Sequence, residues 1–121
     1  MKQQILVVDD DNTTRTLLAA LLRSNGYDVR TAEDGEQAID RCRDEIPDLV
    51  LLDLFMPGMS GHEVAAHLKG EPASQTTPII MLTSNDDQNE IARAHENGAC
   101  DYVVKPFEAG ELLSKIKRAI D

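Results

Sequence analysis

The chain alternates short, unbroken apolar runs with amphipathic stretches, and that alternation predicts its fold class before any single residue is weighed. Ile5-Leu6-Val7-Val8, Leu49-Val50-Leu51-Leu52, Ile79-Ile80-Met81-Leu82 and Tyr102-Val103-Val104 are the continuous runs. Runs of this length bounded by turn signals read as strands buried on both faces, which points to a parallel sheet. Residues 28 to 31 (Asp28, Val29, Arg30, Thr31) alternate instead, as a half-exposed edge strand does.

Helical spacing fills the intervals. Leu18, Leu21 and Leu22 follow the i, i+3, i+4 rule, and Asn25-Gly26 supplies a stop. Ala38, Ile39 and Cys42 mark a second helix that ends before Pro47. Val64, Ala65 and Leu68 mark a third, starting near Ser60 or Gly61. Ile91, Ala94 and Gly98 belong to a fourth, whose Asn97-Gly98 ending repeats the first stop. Leu112, Leu113, Ile116 and Ile120 form the fifth stripe. Each Asn-Gly could also turn a hairpin, but both follow helical periodicity, which favours the capping role. Gly70 to Thr77, with Pro72 and Pro78, is the longest polar loop. Strict alternation of strand and helix predicts an α/β doubly wound domain over residues 1–121.

Composition narrows the partners. At 121 residues the chain can bury one core without staples, and its formal charge of −10 disfavours direct contact with nucleic acid or an anionic membrane. Lys115, Lys117 and Arg118 cluster in the last helix, where they suit the helix dipole. No segment resembles a secretory signal or a membrane span, so the expected compartment is the cytoplasm. Cys42 and Cys100 lack CxxC spacing and are expected to be reduced, small hydrophobic residues.

The polar residues after the apolar runs carry the chemistry. The first run leads into Asp9, Asp10 and Asp11, the second into Asp53, the third into Thr83 and Ser84, the fourth into Lys105-Pro106. In open parallel sheets, ligands bind outside the carboxyl ends of the strands. If the first and third strands are neighbours, Asp9, Asp10 and Asp53 converge there. Two carboxylates about 4 Å apart repel by roughly 4 kcal/mol at an effective dielectric near 20. They must share a proton or gain a cation, and a hard divalent ion with oxygen ligands, such as Mg²⁺, meets that need. Lys105 adds a charge for a transferring phosphoryl group, Thr83 a hydroxyl donor, and Asp53 a carboxylate able to form an aspartyl phosphate. Each part has a plainer reading: Asp11, Asn12 and Ser60 as helix caps, Lys105 as a solvated loop residue, Thr83 as a cap.

With those segments in view, the chain resembles the receiver domain of bacterial two-component response regulators across essentially its whole length. The matching segments are Ile5-Leu6-Val7-Val8-Asp9-Asp10, Leu51-Leu52-Asp53, Met56-Pro57-Gly58-Met59-Ser60-Gly61, Met81-Leu82-Thr83-Ser84 and Asp101-Tyr102-Val103-Val104-Lys105-Pro106-Phe107. The resemblance implies a flavodoxin-like five-stranded sheet of order 2-1-3-4-5 with five helices. It implies that Asp53 accepts phosphate from a histidine kinase or a histidine phosphotransfer protein. Asp10, Asp53 and the backbone carbonyl of Phe55 would ligate Mg²⁺, with Asp9 acting through a water. Lys105 would pair with phosphoryl oxygens ahead of a cis bond to Pro106. Thr83 and Tyr102 would act as switch residues, and the surface of the fourth helix, fifth strand and fifth helix would control a downstream protein target or fused output domain. Such a protein is a self-modifying switch without a separate substrate. Phe55 and Asn85 would flank the route of attacking water, where a bulky Phe55 slows hydrolysis or simply covers apolar surface.

Other constellations carry less. His62 and His67 stand at i, i+5, roughly 140° apart on a helix, so they cannot chelate one ion and are expected at the surface. His95 has no evident partner, and Met56 and Met59 are expected to pack. Among rival functions, Asp9-Asp10-Asp11-Asn12-Thr13 resembles the first motif of haloacid-dehalogenase-type phosphatases, with Asp9 as nucleophile and Asp11 as acid/base. That reading gives Asp53 no role, and Asp86-Asp87 precede Lys105 where an acidic motif should follow. A flavodoxin-like carrier needs a hydroxyl- and glycine-rich loop after the first strand, where three aspartates stand. A phosphorylation-independent interaction module has no need of the retained polar set.

Overall fold

Alternate residues of each central strand face opposite ways, and in this chain both faces are apolar. Leu6, Val8, Val50, Leu52, Ile79 and Met81 pack into one core cluster, while Ile5, Val7, Leu49, Leu51, Ile80, Leu82 and Val103 pack into another. A sheet with two apolar faces must be covered twice, and the helices divide accordingly. A computed structural model of the chain describes residues 2–84 and 88–120. Asn85, Asp86 and Asp87 lie outside the described residues.

The elements run β1 (Gln4–Val8), α1 (Asn12–Ser24), β2 (Asp28–Ala32), α2 (Gly35–Asp44), β3 (Leu49–Asp53), α3 (Gly61–Gly70), β4 (Ile79–Thr83), α4 (Gln88–Glu96), β5 (Asp101–Val104) and α5 (Ala109–Ile120). All neighbouring strands are parallel, in the order β2-β1-β3-β4-β5. This is the flavodoxin-like doubly wound arrangement. α1 (Leu18, Leu22) and α5 (Leu112, Ile116) cover one face; α2 (Ala38, Cys42), α3 (Val64, Ala65, Leu68) and α4 (Ala94) cover the other. β2 is the half-exposed edge that its alternation predicts. Among the described residues no helix is long and apolar enough to cross a membrane.

Local sequence sets where the helices begin and end. Asp11 caps α1 by accepting from Thr14 N–H, and Ser60 caps α3 in a reciprocal box with Glu63. After α1 and α4 the chain reverses through Gly26 (φ +91°) and Gly98 (φ +98°), conformations that side chains resist. Met56 and Met59 pack against the α2–α3–α4 cluster.

The histidines correct two sequence expectations. His62 is buried, 4% exposed, because α4 lies over that face of α3, and its Nε2 meets Glu90 Oε2 at 2.9 Å. His95 does have a partner: its Nδ1 reaches the Ala99 carbonyl at 3.0 Å, just past the end of α4. His67, half-buried, meets Glu71 at 2.9 Å and Arg43 at 3.3 Å on the outside of α2 and α3. Both cysteines are free; Cys42 is buried, its thiol pKa pushed up to about 11 by burial, whereas Cys100 is exposed rather than packed inside.

The crossing from β3 into α3 is tight enough to test. A Cβ on Gly61 would fall 2.6 Å from the Asp53 carbonyl oxygen and 2.8 Å from Leu54 Cα, both main-chain atoms with little freedom to move. Gly61→Ala should lower unfolding free energy by about 1–3 kcal/mol in urea titrations. Gly70→Ala, at the open end of the same helix, has nothing within 4 Å and should be neutral or stabilising by up to about 1 kcal/mol.

Candidate functional site

Strand register brings the acidic residues together. Val8 on β1 pairs with Leu52 on β3, so the next residue of each strand, Asp9 and Asp53, emerges side by side at the carboxyl edge. Asp9 is fully buried and Asp53 is 6% exposed, while Asp10 stands exposed at the rim. Oxygens of Asp9, Asp10 and Asp53 lie within 4.8 Å of one another. Lys105 leaves the end of β5, two strands away, with its amide donating to the Thr83 carbonyl at 2.6 Å. Its side chain crosses back so that Nζ lies 2.8 Å from Asp9 Oδ2 and 3.6 Å from Asp53 Oδ1. The Lys105–Pro106 peptide bond is cis.

Main-chain donors complete the pocket. Asp11 N–H donates to Asp9 Oδ1 at 2.9 Å, and Phe55 N–H to Asp53 Oδ1 at 3.3 Å. Arg15 Nη1 donates to the Asp9 carbonyl at 2.8 Å. Thr83 ends β4 beside β3 and is 1% exposed. Phe55, two residues after Asp53, stands half exposed, so it does not bury its ring in the core. Tyr102 lies on β5 at the sheet edge, partly buried, with Lys115 Nζ 4.8 Å above its ring and 2.6 Å from its carbonyl oxygen.

Electrostatics follow from this crowding. Burial, then the charge of Asp9, pushes the Asp53 carboxyl pKa up to about 7, against the pull of Lys105 and the Phe55 amide. Burial opposes the charge on Lys105, but the Asp9 hydrogen bond and the two carboxylates outweigh it and hold its pKa above the ordinary value. Asp11, exposed, is held below the usual carboxylate range chiefly by its Thr14 hydroxyl bond. Three carboxylates therefore face one ammonium. An all-oxygen donor set with uncompensated negative charge fits a hard divalent ion such as Mg²⁺.

Reading the sequence alone misses Arg15, His62–Glu90 and Lys115–Tyr102. Arg15 leaves a signal all the same. A cation in the first turn of a helix opposes the helix dipole, so it needs a separate partner.

Comparison with known proteins agrees with this fold. Residues 5–117 match the family model of the response regulator receiver domain. The chain is 44% identical over 117 residues to the DNA-binding response regulator MtrA of Mycolicibacterium smegmatis, covering 97% of this chain and 50% of that protein. It is 38% identical to the phosphate regulon transcriptional regulatory protein PhoB of Escherichia coli, covering 97% of this chain and 51% of that one. The chain thus spans about half the length of these curated relatives. Among solved structures, a putative response regulator from Chloroflexus aurantiacus superposes with a TM-score of 0.95 at 36% identity, over 99% of this chain and 98% of that one. Vibrio cholerae chemotaxis protein CheY4 superposes with a TM-score of 0.95 at 30% identity, over 98% and 99%. The family model, the relatives and the strand order agree: the chain belongs to the response-regulator receiver domain family of two-component phosphorelay signalling, whose members act as phosphorylation switches rather than ordinary enzymes.

Proposed function

We propose that the chain accepts a phosphoryl group on Asp53 from a phosphohistidine of a histidine kinase or histidine phosphotransfer protein. The observation that carries this is the pocket itself, three carboxylates within 4.8 Å of one another with Lys105 Nζ against two of them. An Asp53 oxygen attacks phosphorus, the new O–P bond forms as the N–P bond breaks, and the departing imidazole takes a proton from solvent. Asp10 and Asp53, with the Phe55 carbonyl and with Asp9 at one remove, are the residues that would hold Mg²⁺. The ion would supply positive charge to the phosphoryl oxygens. Lys105 turns from Asp9 toward a phosphoryl oxygen, and Thr83 offers its hydroxyl to another. Hydrolysis by water returns Asp53 to its free carboxylate. In this reading the cycle modifies the protein itself and consumes no separate metabolite, and it runs in the cytoplasm.

Output follows from packing. Thr83 ends a central strand and Tyr102 lies within the neighbouring edge strand, so a shift of Thr83 toward the phosphoryl group leaves space for the Tyr102 ring to turn inward, away from Lys115. The surface formed by α4, β5 and α5 then differs between the two states and controls a partner protein or a fused output domain. MtrA is named as DNA-binding; this segment, with a charge of −10, is better suited to contacts with protein than with phosphate backbones.

No observation favours the phosphatase alternative. Both Asp9 oxygens are engaged, by Asp11 N–H and by Lys105, and the side chain is fully buried. Asp11 is committed to capping α1.

A small acyl phosphate with Mg²⁺ should add the mass of one phosphoryl group, localised to Asp53 by peptide mapping. Asp53→Asn or a chelator should abolish the gain, and Lys105→Ala should slow it by about 100-fold. Label persisting in Asp53→Asn, or found on Asp9, would refute the assignment. Once phosphorylated, Phe55→Ala should lose its label faster than the native chain, because the half-exposed ring stands beside the acceptor; an unchanged lifetime leaves Phe55 as mere surface cover.

Stability should track the acceptor's charge. Its folded pKa of about 7 lies above the unfolded value near 4, so its contribution is fully present below about pH 4 and lost as pH rises through about 7. Without divalent ions, stability should fall across that window. Asp53→Asn should remove the fall and add about 1–2 kcal/mol above pH 7, after allowance for screening by water and Lys105. Mg²⁺ should restore the native chain in urea titrations at about pH 8, but not the variant.

A further inference from the structure

Asp9 is fastened at every polar atom. Its N–H donates to the Ala32 carbonyl at 3.2 Å, Oδ1 accepts from Asp11 N–H at 2.9 Å, and Oδ2 accepts from Lys105 at 2.8 Å. The remaining handle, its carbonyl oxygen, is taken by Arg15 Nη1 at 2.8 Å. That guanidinium is itself braced: Nη2 donates to Asn12 Oδ1 at 2.7 Å and lies 3.7 Å from Glu33 Oε1, with only 11% of the side chain exposed. The carbonyl that Arg15 holds belongs to the Asp9–Asp10 peptide. Since that unit is planar, fixing the Asp9 oxygen fixes the Asp10 N–H and the place of Asp10 Cα, the atom from which the side chain leaves, with only the rotation about N–Cα left open. Asp10 is the exposed carboxylate of the three and depends most on such support.

We infer that Arg15 is a positioning residue of the acidic pocket: its bond to the Asp9 carbonyl aims Asp10, so a positive charge in this place strengthens divalent-cation binding. Simple electrostatics predicts the reverse, because a cation beside the pocket repels another cation and its removal should tighten binding. Arg15 touches no reacting atom and acts through the peptide alone. A planar two-pronged donor suits this task, as it binds the carbonyl with one nitrogen and Asn12 with the other. The inference rests on the reading of the pocket as a Mg²⁺ site.

The test is calorimetric titration of magnesium chloride into the unphosphorylated chain at constant ionic strength, so that no phosphotransfer enters the readout. The native chain should bind one ion and Asp10→Asn should lose it. Arg15→Gln should bind about 10- to 100-fold more weakly, the usual cost of removing a group that orients a metal ligand. Arg15→Lys, which keeps the charge and one donor, should fall between them, and Glu33→Gln should bind like the native chain. Thermal unfolding of each variant separates loss of affinity from loss of fold. If Arg15→Gln does not fold, Asn12→Ala, which loosens the guanidinium without removing it, should still show weaker binding, and native affinity there overturns the inference. Equal or tighter binding by Arg15→Gln overturns it while leaving the Mg²⁺ reading intact. Failure of the native chain to bind Mg²⁺ overturns both.

Discussion

The structure depends on an electrostatic conflict that its own sheet creates. Pairing Val8 with Leu52 obliges Asp9 and Asp53 to share the end of the same two strands, in a place nearly closed to water. Neither carboxylate can turn away, because the strands that carry them are buried on both faces and cannot slip register without exposing a whole apolar face. One ammonium, from Lys105, reaches both. The rest of the site is consequence: a raised proton affinity at Asp53, main-chain donors from Asp11 and Phe55, and an oxygen-rich rim whose donor set fits a divalent ion.

The same architecture separates what must stay rigid from what can move. β1, β3 and β4 are covered on both faces, so Asp9, Asp53 and Thr83 sit at the ends of deeply buried strands. β5 is an edge strand, and Tyr102, only partly buried at the margin of one core cluster, carries a cation over its ring. Among the described residues α4 buries Ile91 and Ala94, and the His62–Glu90 contact ties it to α3. Elements with few buried groups are those whose position a small local change can shift.

Much of this is legible in the chain because strand burial and helix ends are local properties. The run Leu49 to Leu52 announces a central strand, and Asn25-Gly26 or Ser60 announces a helix boundary, whatever lies nearby. The convergence of Asp9, Asp10, Asp53 and Lys105 is less local, and reaches the page only through strand order. What escapes is which neighbour covers a given helix face. Periodicity correctly denies His62 and His67 a shared ion, yet it cannot say that α4 lies over His62 and leaves His67 half open. Cys100, free as expected, shows the same limit: nothing local says that a small residue after a helix faces outward. Arg15 shows in sequence that it needs a partner but not which one, because that partner is a backbone carbonyl and main-chain acceptors leave no mark.

On the proposed reading, the conflict at the sheet edge is also what makes the switch conditional. A carboxylate whose pKa lies near 7 is only partly ionised at neutral pH, and only the ionised form can attack phosphorus. Adding positive charge at the rim lowers that pKa and frees the nucleophile, so acceptor chemistry and cation binding are linked through one set of oxygens. The bond from Lys105 to Asp9 fits this economy of charge. In the resting pocket the lysine offsets one carboxylate, and a phosphoryl group arriving on Asp53 brings new negative charge that competes for the same ammonium. A pocket with its charges already balanced would have no reason to rearrange when phosphate arrived; this one does, and rearrangement beneath Thr83 and Tyr102 is what a partner protein would read.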